Sequence, residues 1–385
     1  ESSLQSIGKD AFYRAVSLQA VVFPENLQSI GEGAFSETAS LQTVKFRENL
    51  QSIGSYAFSG SGLENSVVIP ASVTDLGEGA FSYCYNLSEI KVDAGNKTYI
   101  DYDGVVYTRG GDVIVEYPVG KTLTEYTVRD GVTTVGKSAF EGSGNLTYVG
   151  LPEGITVLGE KAFYACTGIT SYTLPESLEN IGPSALSCNY SLSFISIPDN
   201  VVQIGRYAFS NDMNLAYISI RDTSKMARIG FATFANTGVR AFRVPGNVSS
   251  VAQYAFVGCK NLSDVTFAAN SRLESISAYF FEGCDSIQNI TFENGSALKS
   301  IQAHGLEGMK ELRNIDFGDA KLENIDNYAF RYCQNLNELD IPNTLTNIGR
   351  FAFYKCTSLS SLAVPETLEH IGKYAFYGTN NCNLY

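Results

Sequence analysis

Phenylalanine recurs every 23 residues at Phe12, Phe35, Phe58 and Phe81, and again at Phe330, Phe353 and Phe376. Around it one phrase is restated, L-x-x-I-x-I-P-x-x-L-x-x-I-G-x-x-A-F-x-x-C, most fully over residues 335–356. A period of this length kept from end to end means that no single unit buries its own apolar face, so each must stack on copies of itself. The expected fold is therefore one repeat solenoid over residues 1–385, of about fifteen turns, rather than the two or three domains that length alone suggests. Apolar residues at 44% and charged residues at 17% supply a continuous core and exclude disorder.

Upstream of each phenylalanine lies a segment such as residues 41–46, with Leu41, Val44 and Phe46 at spacings of three and two. That is the strand pattern of a leucine-rich repeat, one parallel strand per turn on a concave face, with Gln42, Thr43 and Lys45 facing out. Strand and loop are expected throughout, with little helix. The repeats are strict over residues 1–92. A gap of 59 residues between Phe81 and Phe140 then marks an insertion at about 93–120, whose alternating β-branched and aromatic residues flank Arg109, Gly110, Gly111 and Asp112. This predicts a β-hairpin projecting from the stack, or a bend between two solenoid segments. Repeats resume over 121–385, with longer turns at about 221–326. At a rise of about 4.8 Å per turn the body is on the order of 70 Å long.

The glycine of I-G recurs from Gly8 to Gly372, but Ala252, Ser277, Gln302 and Asp326 take the same place. Close packing between turns, not a glycine-only conformation, is the expected reason. Six of the eight cysteines, Cys84, Cys166, Cys259, Cys284, Cys333 and Cys356, lie three residues after the repeat position, and Cys188 lies two after Leu186. In-phase cysteines are read as small buried hydrophobes rather than disulfides, and the close pairs that zinc favours are missing.

A net charge of −13 without a basic run argues against nucleic acid and anionic lipid. No apolar stretch is long enough for a membrane span. The chain opens in phase and without a polar cap, as expected of a mature or excised fragment, so the lack of a signal sequence carries no information. The two histidines, His304 and His370, fall at variable positions about 66 residues apart, and no nucleophile, zinc or phosphate-binding motif occurs. The carboxylate pairs Asp101/Asp103 and Asp316/Asp340 are what forty acidic residues give by chance, and the former lacks the closing Glu of a calcium loop. No catalytic residue, metal or cofactor is expected.

The outward positions carry more information. Tyr148, Phe194 and Tyr217 fall at one outward site in adjacent or near-adjacent turns, beside a row of small residues that includes Thr127, Gly150, Ser196, Ser219 and Thr266, with Arg243 at its edge. Exposed aromatics flanked by small residues make a shallow platform for a protein or glycan. The competing account is that neighbouring rings stabilise one another by about 0.2–1 kcal/mol per pair. A second row, Tyr56, Tyr207, Tyr254, Tyr279, Tyr328 and Tyr374, keeps the repeat phase and is read as packing between turns.

The phrase at residues 336–356, 192–209 and 169–186, with its paired I-G-x-x-A-F and cysteine positions, resembles the 23-residue leucine-rich repeat of BspA-like bacterial surface proteins. The likeness covers nearly the whole chain. Even the insertion, with Tyr102, Asp103, Gly104, Val105, Val106 and Tyr107 followed by Glu116, Tyr117 and Pro118, is similar to a hairpin found among such proteins. The resemblance implies a curved, non-enzymatic solenoid displayed outside the cell, with adhesion to host or neighbouring-cell proteins as the usual role. Glycan binding, or service as a spacer or targeting arm of a larger surface protein, is the alternative. Similar repeats occur in surface proteins of some protists. The motif consists of core residues, so no binding residue carries over from it.

Overall fold

The computed structural model describes residues 3–379 and 382–384. They fall into two compact units, Glu1–Ser191 and Leu192–Tyr385. Each unit is a parallel-strand β-solenoid, about 16 turns in all, and no helix occurs among the described residues. In the first unit Ala20–Val22 pairs with Thr43–Lys45, and Glu125–Thr127 with Tyr148–Gly150. In the second, Ala241–Val244, Asp264–Phe267, Asn289–Phe292 and Asn314–Asp316 form one continuous parallel row.

A second parallel row, not evident from the sequence, runs through the corners. Ser6–Ile7, Ser29–Ile30, Ser52–Ile53 and Asp75–Leu76 pair in succession in the first unit. Ser275–Ile276 through His370–Ile371 do so in the second. Each turn thus meets the next along two sides, which satisfies backbone polar groups that a loop would leave to water.

Between these rows lies the core. The rings of Phe35, Phe58 and Phe81 stack at 5.2 and 5.5 Å, and those of Phe330 and Phe353 at 5.0 Å. The glycines do sit where backbones approach: a Cβ on Gly349 would lie 2.5 Å from the main-chain nitrogen of Asn327. The left-handed conformation falls instead two residues before the phenylalanine, as at Gly33 and Gly79. The in-phase cysteines are buried thiols. Six of them donate to the main-chain carbonyl of the preceding turn, as Cys84 Sγ does to Phe58 at 3.0 Å and Cys356 Sγ to Phe330 at 3.0 Å. Burial pushes the Cys84 and Cys356 thiols up to about 12, so they stay protonated and unreactive.

The insertion does not project. Tyr99–Tyr102 and Val105–Thr108 form an antiparallel hairpin that turns at Asp103 and Gly104, and Val105, Val106 and Tyr107 are fully buried. Val105–Thr108 then pairs with Val113–Glu116 across the expected turn at residues 109–112, and Val113–Glu116 runs parallel to Thr134–Val135. The last strand of the insertion is therefore also the corner of a solenoid turn. Tyr117 takes the place of the repeat phenylalanine, stacking on Phe140 at 5.1 Å and donating its N–H to Ala139. This turn raises the count from the fifteen expected to about 16.

Where the insertion enters, the ladder is mended by a side chain. Phe58 donates its N–H to the Ala80 carbonyl, whereas Phe81 donates to the carboxylate oxygen Oε1 of Glu116 at 3.2 Å. Glu116 is 1% exposed, and its second oxygen has no partner. Burial drives its pKa well above the usual carboxylate value; the Phe81 hydrogen bond opposes the rise and the charge of Glu141 adds to it. Glu141, also buried, accepts from Tyr56 at 3.2 Å and Tyr83 at 3.3 Å and lies 3.7 Å from Lys161. These contacts tie turns on both sides of the insertion together.

Two outcomes are expected. Gly349→Ala should cost about 2 kcal/mol in a denaturant titration through overpacking, while Gly8→Ala, where nothing lies within 4 Å, should be neutral. Equal effects would refute the close-approach account. Because the pKa of Glu116 is higher folded than unfolded, its contribution is complete below the unfolded value of 4.5 and is lost as pH rises through the folded value. Glu116→Gln should therefore gain progressively on the wild type in thermal melts as pH rises above the unfolded value of 4.5. A pH-independent difference would sink the assignment.

Candidate functional site

Alternation along the strands sets the outward face. In Phe194–Ile197 the side chains of Ile195 and Ile197 are buried, so Phe194 and Ser196 face solvent. The strand pairs in register with Tyr217–Ile220, placing Phe194 opposite Tyr217 and Ser196 opposite Ser219. Phe194 is 45% and Tyr217 58% exposed. Two large rings on paired strands are thus held at the surface by isoleucines beneath them, Ile195, Ile197 and Ile220 buried and Ile218 half-buried, with a serine pair beside them. Both belong to the Leu192–Tyr385 unit.

Tyr148 belongs to the Glu1–Ser191 unit, 43% exposed and opposite Glu125. Two residues on, Gly150 faces Thr127, and a Cβ on Gly150 would come within 3.0 Å of the Thr127 hydroxyl. Gly150 carries no side chain to cover it, and Thr127 is exposed.

Arg243 lies on Ala241–Val244 in the second unit, paired with Thr266. Its guanidinium is gripped by two carboxylates. Nε and Nη2 reach Asp222 at 2.9 and 2.8 Å, and Nη1 and Nη2 reach Glu293 at 2.6 and 2.9 Å. These hydrogen bonds raise the Arg243 pKa and lower those of Asp222 and Glu293. One cation between two anions presents a fixed cluster of net charge −1 to a ligand, not a free guanidinium. Sequence inspection misses this because the partners lie 21 and 50 residues away.

The remaining chemistry is structural. The acid–base residues Glu116, Glu141 and Lys161 are occupied in closing the insertion. Asp101 accepts the Val92 N–H at 2.7 Å, which fixes a turn. Asp316 and Asp340 line an open hollow with no histidine, lysine or arginine in its wall. His370 is exposed opposite Asn347, and His304 contacts Glu307. Among the described residues no group of His, Cys, Asp and Glu is arranged to hold a metal ion, and no helix is long and apolar enough to cross a membrane. The tyrosines expected to pack between turns do so, as Tyr254 does on Tyr279 at 5.5 Å, and His304 and Phe351 join the same row.

Comparison with known proteins agrees with this picture. The chain resembles a leucine-rich repeat protein of Bacteroides ovatus, at 22% identity and a TM-score of 0.58, over 98% of this chain and 81% of that one. The pneumococcal vaccine antigen PcpA matches at 20% identity over 84% of this chain and 72% of its own, with a TM-score of 0.48. A leucine-rich cell surface protein of Faecalibacterium prausnitzii matches at 22% identity over 74% and 62%, with a TM-score of 0.43. No curated protein matches in sequence. The model of the BspA-type leucine-rich repeat region matches residues 5–103, 119–236, 227–318 and 265–383. With both units built from that repeat, this chain belongs to the BspA-type leucine-rich repeat family.

Proposed function

We propose that this chain is a non-enzymatic binding module displayed at the bacterial cell surface, an adhesin that recognises a protein of a host or neighbouring cell. The observation that carries the reading is the in-register pair Phe194 and Tyr217, two large rings left exposed on a rigid strand face. A ring that is half-exposed in the free protein gains its remaining burial only on binding, and aromatic anchors on a pre-formed surface are the usual source of binding energy. Ser196 and Ser219 offer hydroxyls at the same face, and Tyr148 adds a third ring on its own unit. Arg243, held by Asp222 and Glu293, contributes charge of fixed direction at the edge. Membership of the BspA-type family supports a role in protein recognition rather than catalysis. The naming of one structural relative as a cell surface protein and another as a vaccine antigen supports a surface location.

The test is Tyr148→Ser, Phe194→Ser and Tyr217→Ser combined, probed against an array of purified host matrix proteins and glycans. Exposed rings leave the fold intact, so the thermal midpoint should hardly move. Affinity for the protein ligand should fall about a hundredfold or more, about 1 kcal/mol or more per ring. Unchanged binding by the folded variant would show that the rings only stabilise each other. A wild type that binds no protein but binds a glycan that the triple variant no longer holds would replace the adhesin reading with the glycan one.

A further inference from the structure

In the Leu192–Tyr385 unit the left-handed position of successive turns is filled by Tyr254, Tyr279, His304, Tyr328, Phe351 and Tyr374, with φ between 55° and 64°. A bulky side chain is strained there. The fold does not ask for it, since the same position in the other unit takes Gly33, Gly79, Ser138 and Ser184 beside Asp10, Tyr56 and Lys161. The six rings stack in sequence at 5.5, 5.1, 4.9, 5.2 and 5.2 Å, with interplanar angles of 1°, 16°, 14°, 6° and 33°. Neighbours cover the ring faces, so the row presents ring edges and tyrosine hydroxyls to solvent.

Cations line the end of this row. Arg350 lies 5.5 Å from the Phe351 ring centre, Lys373 lies 4.7 Å from that of Tyr374, and Lys355 lies 5.5 Å from that of Tyr354. All three are exposed, and among the described residues none makes an ion pair. Arg331, by contrast, is neutralised by Glu307. Free positive charge on consecutive turns of a chain with net charge −13 is complementary to an anion. Arg350 and Lys373 stand one period apart with Lys355 beside them, three charges over two rungs, which suits an extended polyanion rather than a single ion.

We propose that this edge binds an anionic polysaccharide laid along the ladder. Its carboxylate or sulfate groups meet Arg350, Lys355 and Lys373, and its sugar rings rest against the edges and hydroxyls of Tyr328, Phe351 and Tyr374. An extended pyranose chain advances about one rung per sugar. An extended peptide does not keep step, since its same-face residues recur at about 6.6 Å. Single-stranded nucleic acid stacks its bases on ring faces, and here those faces are covered. The site is separate from the strand-face rings and does not depend on them.

The test measures binding of the full chain to hyaluronan, chondroitin sulfate, neutral dextran and poly-L-glutamate. Chondroitin sulfate, with a charge on each sugar, should bind in a salt-sensitive way and more tightly than hyaluronan, whose carboxylates fall on every second sugar; dextran should not bind, and poly-L-glutamate should bind at least tenfold more weakly than chondroitin sulfate. Arg350→Gln, Lys355→Gln and Lys373→Gln combined should weaken glycan binding about tenfold or more, as three exposed charge contacts imply, with the thermal midpoint unchanged. Tyr328→Ser, Phe351→Ser and Tyr374→Ser combined should also weaken it, serine being accommodated at this position at Ser138 and Ser184. The strand-face triple variant should bind as the wild type does. The proposal is overturned if neither acidic glycan binds, if poly-L-glutamate binds as tightly, if the Gln variant binds undiminished, or if the strand-face variant loses binding.

Discussion

The N–H of Phe35 donates to the carbonyl of Ala57, that of Phe58 to Ala80, that of Phe330 to Ala352 and that of Phe353 to Ala375, at 2.7 to 2.8 Å. These bonds between turns fix a rise near 5 Å, and the other regularities follow from that rise. Rings one period apart must then lie in van der Waals contact, which is why phenylalanine stacks and why a cavity in one turn would be felt in the next. Glycine is needed where two backbones meet closer than a Cβ allows, at Gly54 or Gly372. Cysteine suits the position after the phenylalanine because its thiol is small enough for the core and still satisfies a buried carbonyl, as Cys284 does for Phe256 at 2.9 Å.

An insertion in such a stack interrupts one hydrogen bond in a place that water does not reach. The first unit meets this with Glu116, whose carboxylate accepts the Phe81 N–H that a main-chain carbonyl accepts elsewhere. A buried ionisable group is a costly substitute for a carbonyl. Its presence shows that an unmet N–H at that depth would cost as much or more. The hairpin is in turn anchored through Val105, Val106 and Tyr107, so the insertion extends the core rather than hanging from it.

The period, the phenylalanine row and the buried cysteines were legible in the sequence because each is a one-dimensional consequence of stacking. Three features were not. The corner pairs such as Asn324–Ile325 on Asn347–Ile348 have no alternation to announce them, since two residues are too few for a period. Tyr117 was hidden because its turn carries tyrosine in place of phenylalanine and Glu116 in place of alanine. The hairpin was read as projecting because a run such as Val105, Val106 and Tyr107, buried on both faces, looks the same in sequence whichever surface covers it. The candidate site divides in the same way. Exposure of Tyr148, Phe194 and Tyr217 followed from strand alternation, but the neutralisation of Arg243 depended on Asp222 and Glu293, whose loops lie outside the strict period.

Function on this scaffold is constrained by the same rise. Since the core letters are fixed, only the intervening positions vary, and any such position is repeated along a line. A solenoid therefore offers rows rather than pockets, and the character of a row depends on whether its charges find partners within it. Where Arg243 meets Asp222 and Glu293, the row closes on itself and offers shape. Where Arg350 and Lys373 lie over the rings of Phe351 and Tyr374 and, among the described residues, make no ion pair, the row stays open and offers charge.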